Sequence, residues 1–92
     1  MEEHCYIISC DLVTPERDYE NLYEVLKSFP YWGRLTDSTW AIVTSKTHIE
    51  IRDLLKSHID TNDRLIVILS GRAAAWTKIR ASDEWAKIQL TK

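Results

Sequence analysis

The first apolar run of the chain, Cys5, Tyr6, Ile7, Ile8 and Cys10, is short, nearly continuous and rich in β-branched and aromatic residues. It predicts a buried strand over residues 5–12. That strand carries one carboxylate near its end, Asp11. The period then changes. Tyr19, Leu22, Tyr23, Leu26 and Phe29 follow the three-and-four spacing of an amphipathic helix over residues 18–29, with Glu20, Glu24 and Lys27 on the other side. Thr14 before Pro15 is a good start signal, Asp18 is a competing cap, and Pro30 is a stop. Residues 31–35 and 39–45 read as strands around the small polar turn Thr36, Asp37, Ser38, which makes them a hairpin. In the second of these strands Trp40, Ile42 and Thr44 face one way and Ala41 and Val43 the other. Thr47 and Glu50 form a capping box that opens a helix to about residue 58, with Ile51, Leu54, Leu55 and His58 as its inner stripe. After a turn at residues 60–63, residues 64–69 read as a strand apolar on both faces. In the tail, residues 73–76 favour a helical turn by alanine propensity. Ser82 opens a last short helix with Trp85, Ile88 and Gln89 on one side.

The order is therefore β-α-β-β-α-β followed by a helical tail at residues 72–92. It predicts one α+β domain over residues 1–92 with a ferredoxin-like topology: a four-stranded antiparallel sheet with two helices on one face. Two helices cover only one face, yet the first and fourth strands are apolar on both. Either the tail, with Trp76 and Trp85, or a second copy of the sheet must cover the other face. A homodimer is the expectation, with Tyr6, Trp40 and Trp76 as interface candidates.

The composition is that of a globular chain, with 45% hydrophobic and 28% charged residues and only two Gly and two Pro in 92 residues. The formal net charge is −2 and the pI about 5.9. That balance counts against an extended phosphate-hugging surface and leaves room for a local basic patch. Cys5 and Cys10 point to opposite faces of one strand, too badly placed to bridge, which fits free thiols in a reducing compartment. The acidic start Met1-Glu2-Glu3-His4 and the shortness of the first apolar run predict a cytoplasmic protein with no membrane partner.

A carboxylate held at a strand end suits a metal ligand or a general base. The same residue also suits a cap on the turn that follows, accepting from backbone N–H groups of residues 12–15. Residue type and spacing leave both roles open for Asp11. Ser9 and Ser38 are candidate donors to phosphate at that end of the sheet. Arg17, Arg34, Lys46 and Arg72 are the cations nearest the strand ends, candidates for phosphate contacts if clustered. Tyr31, Trp32 and Trp40 have the chemistry to stack on bases or to pack a core. His4, His48 and His58 have no metal-ligand spacing, and two glycines leave no phosphate-cradling loop.

Ile8-Ser9-Cys10-Asp11-Leu12, Asp37-Ser38-Thr39-Trp40 and Asn62-Asp63-Arg64-Leu65-Ile66-Val67 resemble elements of the CRISPR-associated Cas-two proteins. The likeness is greatest to the SinR-like small bacterial members and covers about residues 5–70. It implies a small ferredoxin-like homodimer acting on RNA or double-stranded DNA. Asp11 of each copy would meet its mate to hold a Mg²⁺ ion for endonuclease chemistry. Other members are architectural and need no catalysis. A non-catalytic scaffold dimer binding nucleic acid, nucleotide or protein is accordingly the second expectation. The acidic pI and the tryptophan-bearing tail are departures from the family's usual pattern.

Overall fold

The computed structural model describes residues 2–13 and 19–91. Its elements run β1 (His4–Asp11), α1 (Glu20–Lys27), β2 (Tyr31–Arg34), β3 (Thr39–Thr44), α2 (His48–Lys56), β4 (Arg64–Leu69) and α3 (Asp83–Gln89). The strands form one antiparallel sheet in the order β2-β3-β1-β4, an α+β arrangement compatible with a ferredoxin-like fold. The expected helix start signals Thr14, Pro15 and Asp18 lie outside the described residues. Tyr19 stands at the N-cap of α1 without a side-chain cap. Helix α2 carries the full capping box: Glu50 N donates to Thr47 Oγ1 at 3.2 Å, and Thr47 N donates to Glu50 Oε1 at 3.0 Å.

The pleat sorts side chains between two cores. Tyr6, Ile8 and Cys10 of β1 and Trp40 and Ile42 of β3 pack under the two long helices, against Leu22, Leu26, Ile51 and Leu55. Cys5, Ala41 and Val43 point to the other face, where Leu35, Ala86 and Leu90 bury them. Cys5 and Cys10 are both buried and unbridged, one in each core.

The tail thus folds back onto its own sheet. Trp76, Ile79 and Trp85 pack against the second core. Gly33 makes this close approach: a Cβ there would lie 2.8 Å from Cζ3 of Trp85. Two details differ from expectation. Residues 73–76 form no helix, because Arg72 takes a left-handed φ of 71° and turns the chain at that point. In α3 the inner stripe is Ala86, Gln89 and Leu90, whereas Ile88 stays 56% exposed. Small Ala86 lets the helix sit close, and its partners three and four residues on are Gln89 and Leu90, not Ile88.

The cover stops short of β4. Leu65 and Val67 pack on the helix side. Ile66 and Ile68 point to the tail side and remain 52% and 50% exposed.

Candidate functional site

Asp11 closes β1 opposite Arg64, the first residue of β4. Its Oδ2 accepts from Arg64 Nη1 at 3.1 Å, with the carboxylate 61% and the guanidinium 81% exposed. Paired residues on neighbouring strands share a face. The register Asp11–Arg64, Ser9–Ile66, Ile7–Ile68 therefore puts Asp11, Ser9 and the exposed isoleucines on the same side, the one the tail leaves partly open. An ion pair this exposed contributes little to stability and yields easily to a competing ligand.

At the described start of the turn after β1, the carboxylate that accepts is that of Asp63. Its Oδ1 accepts from Val13 N at 2.9 Å and Tyr19 Oη at 3.0 Å, while its Oδ2 accepts from Asp60 N at 2.8 Å. One carboxylate thus ties the β1 exit, the α1 start and the turn before β4. Burial pushes the neighbouring Cys10 thiol up to about 11, with the Asp63 charge adding to the shift. The sequence marks Asp63 as a turn residue, which fits its Asp60 partner, but Tyr19 and Val13 lie 44 and 50 positions away and leave no local signal.

The other expected site residues separate. Ser9 is half-buried beside Ile66 on the open face. Ser38 sits at the same end of the sheet, where its carbonyl accepts from Cys10 N at 2.9 Å. Arg34 lies across β3 from Ile8, three residues short of Asp11, with its guanidinium carbon 5.0 Å from the Tyr23 ring centre and 5.2 Å from that of Trp40. Arg17 lies outside the described residues. Tyr6 and Trp40, expected at a dimer interface, are buried inside one chain under the helices, because their strand parity turns them there. Trp76 packs with the tail on its own sheet, and its Nε1 donates to Asp83 Oδ1 at 3.1 Å. Sequence reasoning missed Arg80, whose Nη1 donates to Asp37 Oδ1 at 2.9 Å.

Among the described residues no group of three or more His, Cys, Asp or Glu side chains is placed to hold a metal ion. Magnesium needs fewer protein ligands than that, since water and phosphate oxygens complete its shell. No helix among the described residues is long and apolar enough to cross a membrane. No protein-family model, curated protein or solved structure matches the chain.

Proposed function

We propose that this chain is a ferredoxin-like homodimer that processes nucleic acid, of the kind its likeness to the Cas-two proteins implies, with Asp11 of each copy at the working end. The single observation that carries the reading is the shared face of Asp11, Ile66 and Ile68. Half-exposed isoleucines on a sheet are surface that a second copy would bury, at roughly 25 cal/mol per Å² of apolar area. The carboxylate stands at the end of that patch, where a two-fold axis can set it opposite its mate. The strand order supports the ferredoxin-like reading. Asp11 and its mate would hold a divalent ion, which when bound supplies charge for a phosphodiester and a polarised water. Arg64 would hold the carboxylate oriented until then.

A second reading has its own observation. Asp11 is already paired with Arg64, an arrangement that needs no metal. In that reading the dimer is a scaffold for nucleic acid, nucleotide or protein. The test incubates wild-type and Asp11→Asn proteins with single-stranded RNA and double-stranded DNA, with Mg²⁺ or with EDTA. Cleavage that needs metal and is lost in the variant is the expected result. Absent cleavage, or equal cleavage by both proteins, removes the catalytic reading and leaves the scaffold.

A further inference from the structure

The free edge of the sheet at β2 carries chemistry that Asp11 does not use. A hollow of about 300 Å³ opens there between Trp32, Arg34, Arg80 and Trp85. That volume is at the small end for ligand sites. Trp32 is 39% exposed, with the Trp40 ring centre 5.8 Å and Lys27 Nζ 5.6 Å from its own ring centre. The guanidinium of Arg34 lies beside the stacked Tyr23–Trp40 pair, and its Nη2 donates to the Asp37 carbonyl at 2.8 Å. Arg80 reaches the same hollow from the tail and also lines a neighbouring one with Lys78 and Asp37. Of the charged residues lining the two hollows, Arg34, Lys78 and Arg80 are cations and only Asp37 is an anion. This is a local positive field in a chain of formal charge −2. Its one carboxylate is 93% exposed, so its pairing with Arg80 is cheap to break.

The backbone adds donors. Leu35 N donates to Thr39 O, which makes that pair hydrogen-bonded across β2 and β3. By alternation the N–H groups of Trp32 and Arg34 point away from β3, toward the free edge. Aromatic surface, the Arg80 guanidinium and edge N–H groups around one hollow match a nucleobase with its phosphate.

We propose that this β2-edge hollow binds single-stranded nucleic acid, with a base on the exposed ring of Trp32 and a phosphate at Arg80. The hollow lies at the Arg34 end of β2, toward the same end of the sheet as Asp11, which the register sets two strands across and three residues further along, about 14 Å away by strand spacing and rise. A strand leaving it therefore runs past Ser38 toward Asp11. Binding here does not rest on Asp11 cutting or holding metal.

Fluorescence anisotropy tests this on the full chain with EDTA present, using a fluorescein-labelled oligouridylate about ten nucleotides long. Trp32→Ala should weaken binding about tenfold, the loss of one stacked base. Arg80→Ala should weaken it several-fold and lower the slope against log salt by about one. Arg52→Ala, outside the hollow, should bind as wild type does. Circular dichroism melts establish that each variant folds, and Arg80→Ala, an exposed site, carries the test if Trp32→Ala does not fold. Unlabelled uridine monophosphate should compete far more weakly than the unlabelled oligonucleotide. Absence of wild-type binding, wild-type affinity in Arg80→Ala, or equal competition by the mononucleotide would each overturn the proposal. Absence of cleavage by the wild-type protein with retained binding would count only against the catalytic role of Asp11.

Discussion

At the scale of single residues, two acidic side chains, Asp63 and Glu50, make contacts whose worth can be measured. Asp63 collects donors from three separate segments. Asp63→Ala should lower stability by about 2–3 kcal/mol, a fall in Tm on the order of 10 °C for a domain of this size. Tyr19→Phe, which removes only the hydroxyl, should cost about 1 kcal/mol. Thermal melts by circular dichroism check both, and an Asp63→Ala melt equal to wild type would contradict the role. Glu50 acts through pH. The Thr47 backbone N–H it accepts, then the Thr47 hydroxyl, hold its carboxyl below the usual carboxylate range, with Lys46 helping. Because folding lowers this pKa, the gain is complete above the unfolded carboxylate's value and is lost as pH falls through the folded one. The Tm advantage of wild type over Glu50→Gln should therefore be present at neutral pH and vanish in acid. An advantage unchanged across that range would sink the capping account.

At the scale of elements, the tail is the part whose position decides the most. Gly33 leaves the space that Trp85 fills. Gly33→Ala should push the indole away and cost about 1–3 kcal/mol, with the tail cut faster in limited proteolysis. Unchanged stability and unchanged cleavage would show that α3 does not depend on this contact. The strands and the two long helices were legible in the sequence because period and caps agree at those places: Trp40 and Ile42 against Ala41 and Val43, Thr47 with Glu50. The tail was not. Residues 73–76 have helical propensity, yet a positive φ at Arg72, beside a glycine that does not take one, turns the chain away from a helix. Buried Gln89 and exposed Ile88 likewise reverse the order that hydrophobicity alone predicts. Tertiary packing on the second sheet face overrides local preference in both places.

At the scale of the molecule, the question posed by two apolar sheet faces is answered in two halves. The helices cover one face, and the tail covers the β2, β3 and β1 side of the other. What remains is the β4 strip of Ile66 and Ile68, which ends at Asp11 and Arg64. The sequence showed that strand four is apolar on both sides, but only the path of the tail reveals which residues stay bare. The Asp11–Arg64 pair was hidden for a similar reason: the two are 53 positions apart and meet only through the β1–β4 register. The nuclease and scaffold readings both need a second copy on this strip. The most direct measurement is therefore the solution mass of wild-type and Ile68→Lys proteins by light scattering at tens of micromolar. The account predicts a wild-type mass near twice 10.8 kDa and a folded monomer for the variant. A monomeric wild-type protein, or a dimer that Ile68→Lys leaves intact, would contradict it.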